Sequence, residues 1–256
     1  MRNDFNPCVI IPVFNHHQVL PETVAQLRAH NLDVILIDDG SAPICLQVQE
    51  ELARADDRIH LFKRSRNEGK GAAVKDGLIL AQQQGFSHAL QIDADGQHNA
   101  DDIPDFLQRA KNQPQTLIAG MPVYDDSVPK LRLYGRYLTH IWVWINTLSL
   151  DIKDSMCGFR VYPLAQSIEL IKHEPSGNRM DFDPEFMVRW HWRNWPLEQI
   201  STAVSYPLDG ISHFQPRLDN WLITMMHTRL FFGMLRRLPA LLLTKLQQCK
   251  CCCRGR

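Results

Sequence analysis

The run Leu90-Gln91-Ile92-Asp93-Ala94-Asp95-Gly96-Gln97-His98 is an apolar segment that ends in two aspartates spaced i, i+2. Alternate side chains of a strand share a face, so Asp93 and Asp95 can point the same way where the strand leaves its sheet. Two carboxylates held together suit Mg²⁺ or Mn²⁺, and such an ion can hold a diphosphate in turn. In an open α/β sheet, ligands bind beyond the carboxyl ends of the strands. Competing readings of the pair are weaker. A calcium loop needs Gly at its sixth position, and Gly96 stands fourth from Asp93. A phosphatase-type nucleophile would be expected on the first strand. A solvated acidic turn remains open.

Outward from this segment, the first half of the chain alternates apolar runs with helical spacing. Strands are predicted at Cys8–Val13, Val34–Ile37, Ile59–Phe62, His88–Ile92 and Thr116–Ala119. Helices are predicted at Pro21–His30, Ile44–Ala55, Lys70–Gln84 and Asp101–Ala110. Continuous β-branched runs separated by helices imply a mostly parallel sheet with helices on both faces. After Gly120 the pattern changes: a long helix from Val128 to Leu150, a strand at Cys157–Tyr162, helices at Leu164–His173 and Asp183–Trp192, and a last strand at Ile200–Tyr206.

The chain has 256 residues, 45% of them apolar and 22% charged, which describes an ordinary folded protein. The start carries no secretory pattern, and no stretch approaches the roughly 18 apolar residues of a membrane span. The net charge of zero is unevenly spread. From Arg217 to Arg256 eight Lys or Arg face one acid, Asp219, so this stretch carries +7 and the rest −7. With Trp221, Phe231, Phe232 and Leu241–Leu243 beside those charges, residues 216–256 read as a basic, amphipathic membrane-associating extension of a domain at 1–215. The alternative is a helix with a solvated basic face. Of seven cysteines, four crowd positions 249–253 without the paired spacing of a zinc site, and their odd number fits a reducing compartment.

Two further motifs follow, one at a strand end and one before a helix. Asp38-Asp39-Gly40-Ser41 can offer hydrogen-bond acceptors to a base or ribose, or simply make a turn. Asn67-Glu68-Gly69-Lys70-Gly71 opens a helix where amides and a lysine could meet phosphate, although it lacks Walker spacing. The absence of G-x-G-x-x-G after the first strand argues against a dinucleotide dehydrogenase.

Together with Val9–Asn15 and Asp154–Arg160 (DSMCGFR), these motifs occur in the order of a known family. The chain resembles a family 2 glycosyltransferase of the nucleotide-sugar-binding GT-A fold, on its dolichol-phosphate mannosyltransferase-like branch, over about residues 8 to 215. The resemblance implies that Pro12, Phe14, Asp38 and Asp39 line the nucleotide pocket and that Lys70 approaches the donor. It also implies that Asp93 and Asp95 hold the diphosphate through a metal, with Gln97 alongside. Asp183, then Asp181 and Glu185, are the candidates for an acceptor-side base, unless they are simply acids favoured at a helix start. Arg132 and Arg136, one turn apart, and Arg160 are candidates for acceptor phosphate, with a solvated helix face as the alternative for the first two. His213 is a further metal candidate. The Q-x-x-R-W signature of processive synthases is absent.

The expected activity is a metal-dependent, inverting transfer of one sugar from a UDP- or GDP-linked donor to a lipid-linked acceptor, at the cytoplasmic face of a membrane and without nucleic acid. A soluble or glycan hydroxyl acceptor is the first alternative. A non-catalytic nucleotide-sugar-binding subunit is the second.

Overall fold

The structure is a computed structural model that describes residues 5–124, 130–204 and 213–254, leaving aside the side chains at 124, 130–133 and 244–254. Seven strands form one sheet: β1 (Pro7–Val13), β2 (Asp33–Asp38), β3 (Ile59–Lys63), β4 (His88–Gln91), β5 (Leu117–Tyr124), β6 (Arg160–Pro163) and β7 (Leu197–Val204). Their spatial order is β3-β2-β1-β4-β6-β5-β7. All pairs are parallel except those of β6, which runs antiparallel to both β4 and β5. The helices are α1 (Leu20–Ala29), α2 (Pro43–Ala55), α3 (Lys70–Gln83), α4 (Ile103–Asn112), α5 (Lys130–Thr147), α6 (Leu164–His173), α7 (Phe182–Trp192) and α8 (Pro216–Arg254).

Strand alternation divides the core in two. Ile10, Ile35 and Ile37 face one layer, with Val74 and Leu78 of α3 and Phe186 of α7. Val9, Ile11 and Leu36 face the other, with Val24 of α1 and Phe106 of α4. Each fully buried aliphatic or aromatic side chain contributes about 1.5–3 kcal/mol, so burial on both faces explains strands that read as unbroken apolar runs. The edge strand β7 is different. Its first four residues are only half-buried, and it begins three residues before the position predicted from its apolar end.

The sheet order sets the site. From β1 the chain moves outward through β2 to β3, then returns to place β4 on the other side of β1. The loops after β1 and β4 therefore diverge around a crevice at the carboxyl edge, the usual ligand position in such sheets. Gly40 makes one wall possible. At φ 72° it occupies the left-handed region, and a Cβ there would stand 2.6 Å from the Asn67 nitrogen. The loop after β2 can consequently press against the loop that starts α3.

The basic C-terminal segment is a single helix, α8, that packs on α5 and α7. Met226, His227 and Leu230 are buried on this helix and Asp219 is buried against Arg179, so the first part of the helix continues the core. Among the described residues, no helix is long and apolar enough to cross a membrane. The side chains of the cysteine cluster and of Arg132 lie outside the described residues.

Candidate active site

A cavity of about 1420 Å³ opens over the carboxyl edge of the sheet. Pro12 near the end of β1 and Phe14 just beyond it, Asp39 after β2, Lys70 at the start of α3, and Asp93 and Asp95 after β4 line one end of it. Gln97 lines it too, and its backbone N–H donates to Asp95 Oδ1 over 3.1 Å. Lys70 is at the centre of the charge arrangement. Its Nζ donates to Asp93 Oδ2 over 2.8 Å and stands 3.5 Å from Asp183 Oδ2. Burial opposes the charged form of Lys70, but Asp93 and Asp183 outweigh it and hold the ammonium protonated. Burial likewise opposes ionised Asp93, yet Lys70 and His98 keep its carboxyl well below the usual range. His98 Nε2 lies 3.6 Å from Asp93 Oδ2. Asp95 moves the other way: burial, then the neighbouring Asp93 charge, raises its carboxyl.

This arrangement suits a divalent ion. Asp93 Oδ1 is buried and has no hydrogen-bond partner among the described residues, while Asp95 is destabilised by the negative charge beside it. No group of three or more His, Cys, Asp or Glu among the described residues stands ready to hold a metal. His213 is accordingly not gathered with Asp93 and Asp95 as a third ligand. Its ring packs edge-on against Phe14 and His16, with centroids 4.9 and 5.0 Å away. Two carboxylates still meet the habit of Mg²⁺, which completes its shell with water and substrate phosphates.

The remaining sequence candidates divide according to what engages them. Asp38 turns into the fold, where it accepts a hydrogen bond from Gln49 Nε2 (2.7 Å) and does not line the cavity. Asp39 does line it, but also pins the α3 loop by accepting from the Glu68 and Gly69 amides. Asp183 is buried just beyond Lys70, with Oδ1 3.3 Å from the Arg160 guanidinium. Asp181 accepts from the Arg179 amide, and burial raises its carboxyl. Glu185 is fully buried and tied to Arg189, Arg229 and the Gly177 amide, which joins α7 to α8. Of the three acids, the structure brings only Asp183 beside the Asp93–Lys70 pair.

Arg160 lies below the cavity rather than on it. Antiparallel β6 pairs it with Gln91 and Ala119 in mid-sheet, and it is 1% exposed. Its guanidinium donates to the carbonyls of Ser155 and Asp183, a supporting contact rather than a phosphate contact. Arg136 does line the cavity, and its fork grips Asp154 at 2.6 and 2.7 Å. His140 approaches the same carboxylate at 3.3 Å. Asp154 also accepts from the Met156 and Cys157 amides, so it fastens α5 to the loop that passes under Asp93.

Sequence reasoning missed several of these groups. His98 belongs to the opening motif and could have been found from its place beside the aspartates. Gly158 lies within the DSMCGFR motif without being marked there, yet a Cβ on it would stand 2.7 Å from both Asp93 Oδ2 and Lys70 Nζ. The far end of the cavity lies between α5 and α8, where Leu138, Trp142, Ile223, Thr224 and His227 form its walls.

Residues 8–167 match the family described as Glycosyl transferase family 2. The chain belongs to that family. It is 30% identical over 170 residues to the UDP-N-acetylglucosamine–dolichyl-phosphate N-acetylglucosaminyltransferase of Methanococcus voltae, covering 60% of this chain and 68% of that protein. It is 29% identical over 168 residues to the polyprenol monophosphomannose synthase of Mycolicibacterium smegmatis, covering 60% of each. These relatives agree with the dolichol-phosphate mannosyltransferase-like branch. The glucosyl-3-phosphoglycerate synthase of Mycobacterium tuberculosis superposes with a TM-score of 0.63 over 91% of this chain and 80% of that one, at 15% identity, which establishes a shared GT-A fold.

Proposed function

We propose that this family 2 glycosyltransferase moves one sugar from a nucleotide-sugar donor to a lipid-linked acceptor, with inversion and with Mg²⁺ or Mn²⁺ at Asp93 and Asp95. One observation carries the reading: a single cavity joins the carboxylate–lysine cluster to an apolar arm between α5 and α8. The lip of that arm continues outward. Tyr134, Tyr137, Leu138, Ile141, Trp142 and Ile145 form an exposed stripe at helical spacing on α5. On α8, Trp221, Met225, Phe232 and Leu235 are exposed alongside Arg217 and Arg236. Aromatic and aliphatic side chains among cations fit the headgroup region of an anionic membrane, where a lipid acceptor would be met. The names of the relatives, which include dolichyl-phosphate glycosyltransferases and a polyprenol monophosphomannose synthase, favour a lipid phosphate as that acceptor.

In the reaction, an acceptor phosphate oxygen forms a bond to the anomeric carbon as the bond to the nucleoside diphosphate breaks. The electron pair leaves with the diphosphate. A bound divalent ion would offset the charge that builds there, by several kcal/mol. A lipid phosphate is already ionised, so no strong base is required. A hydroxyl acceptor would need one, and Asp183 is the carboxylate placed for that role. Pro12 and Phe14 would bound the base and ribose, while Lys70 keeps Asp93 ionised. The test is transfer of labelled sugar from UDP- and GDP-linked donors to polyprenyl phosphate in mixed micelles, with product recovered in butanol. Metal-dependent labelling that is lost in Asp95→Asn supports the reading. Labelling of water-soluble acceptors alone overturns it.

A further inference from the structure

The arm between α5 and α8 contains a polar pair that neither the donor site nor the ion pairs use. His227 of α8 is 4% exposed and Asn146 of α5 is completely buried, and His227 lines the cavity. Asn146 Nδ2 stands 3.3 Å from His227 Nδ1. With the amide donating, the ring proton sits on Nε2. That nitrogen is buried and meets no hydrogen-bond partner among the described residues, and Asn146 Oδ1 is in the same condition. Buried polar atoms without partners are destabilising, and native folds keep few of them. Their clustering on a cavity wall points to a ligand atom that completes them. Trp142 stacks over the imidazole with centroids 6.0 Å apart, fixing the ring plane. Burial lowers the imidazole to a pKa of about 4, so it is neutral near pH 7.

The neighbouring hydroxyls cannot take this role as donors. Those of Thr139, Thr224 and Thr228 already donate to carbonyls of their own helices. Among the described residues, the arm therefore combines apolar walls with a buried, neutral N–H donor at His227 that no protein group engages. That chemistry fits an oxygen carried next to a hydrocarbon chain. We propose that His227, oriented by Asn146, hydrogen-bonds through Nε2 to an oxygen at the polar end of the lipid acceptor and thereby selects that acceptor. The oxygen can come from a phosphate or from a neutral hydroxyl or ester. This inference rests on the transferase reading for the reaction it serves, although the contact itself is a binding event.

The experiment is ¹⁵N-histidine NMR of the full chain in detergent, with three probes: a short isoprenyl monophosphate, the matching isoprenyl alcohol, and dioctanoylglycerol. A shift of the His227 Nε2 resonance with the phosphate alone supports the contact and identifies phosphate as its source. A shift with the alcohol or diacylglycerol supports it with a neutral oxygen as the source. No shift with any probe, or exchange broadening of a bound water only, overturns the inference. A nucleotide titration of the same sample separates the two proposals. Nucleotide binding without a lipid shift sinks the inference alone, whereas a lipid shift without nucleotide binding sinks the transferase reading alone. In turnover assays, His227→Leu should raise the acceptor KM about tenfold with little change in kcat or in nucleotide Kd, and His227→Gln should recover part of it. Because Leu fills the ring's space without its N–H, unchanged acceptor KM in a folded His227→Leu also refutes the contact.

Discussion

Replacing Gly158 with alanine would test whether the Asp93–Lys70 pair is the working core of the site. The new Cβ would begin 2.7 Å from Asp93 Oδ2 and Lys70 Nζ and 2.8 Å from Asp93 Oδ1. Ordinary contact requires about 3.5 Å, so both side-chain ends must retreat by about 0.8 Å. They can do so cheaply for the fold, because both are the ends of side chains. Gly158 is also not among the residues with positive φ, so alanine is conformationally acceptable there. It should even return about 0.4–1 kcal/mol by restricting the unfolded chain. Stability without ligand should therefore change little. The site should not be so tolerant, since a misplacement of about 1 Å can cost about 10²-fold in rate. Expected values are a 10- to 100-fold lower kcat/KM and roughly tenfold weaker nucleotide binding, which removes about 1.4 kcal/mol of ligand stabilisation. Thermal unfolding with and without nucleotide and Mn²⁺ reads both quantities. Wild-type affinity and turnover in Gly158→Ala would refute the assignment. A large loss of stability without ligand would show that the steric argument is wrong.

Other expectations follow from the same contacts. Nucleotide at 100 Kd should stabilise the protein by about 2.7 kcal/mol in the presence of Mn²⁺, and EDTA or Asp95→Asn should abolish that shift in a melting curve. Asp183→Asn should lower turnover with a hydroxyl acceptor by about 10²-fold or more, whereas Glu185→Gln should lower unfolding free energy by about 3 kcal/mol and leave turnover of the folded fraction near wild type. Asp154→Asn breaks a buried ion pair and should cost about 3 kcal/mol in urea unfolding at pH 7. Burial opposes the Asp154 charge, but His140 and Arg136 outweigh it and hold its carboxyl below the usual range. Its contribution is thus fully present above an unfolded pKa of about 3.9 and is lost as pH falls through the lower folded value. The gap between wild type and Asp154→Asn should close on acidification below about pH 4.

The donor half of the molecule was legible because the Val9–Asn15, Asp38–Ser41 and Asp93–His98 motifs each run on from a buried strand. Val9–Val13 and Val34–Ile37 announce themselves by continuous apolar runs and His88–Ile92 by a largely apolar one, and whatever follows such a run lands on the ligand edge of the sheet. The antiparallel insertion of β6 between β4 and β5 was not legible. Four residues, Arg160–Pro163, have the same composition whichever way they run, and their direction is decided by pairing with distant Ala89 and Ile118. That reversal brings Arg160, the first residue of β6, level with Gln91 at the carboxyl end of β4, and burial against the Ser155 and Asp183 carbonyls keeps it from the phosphate contact that the family resemblance implied. Asp181, Asp183 and Glu185 posed a similar problem. Within one helical turn they look interchangeable, and only the opposing arginines and Lys70 distinguish a structural tie from a group beside the reacting centre.

The division of the cavity has a consequence for specificity. Its donor end is built from loops held by the parallel strands, and those residues fall within the segment 8–167 that matches the family. Much of its other end is built from α8, which lies entirely outside that segment. Of the cations that line the cavity, Lys70 is engaged by Asp93 and Asp183, Arg136 by Asp154, and Arg179 by Asp219. An incoming anion must therefore compete with these carboxylates or bring its own counter-ion. A nucleotide can do so with a divalent metal at Asp93 and Asp95. A lipid phosphate, arriving from the apolar arm, would have to draw Arg136 from Asp154. The Asp154 pair thus sets how readily the arm accepts a charged head, and Asp154→Asn in a folded background should tighten binding of isoprenyl phosphate without affecting isoprenyl alcohol. Direct titration of both compounds decides this, and equal effects on the two would refute the coupling.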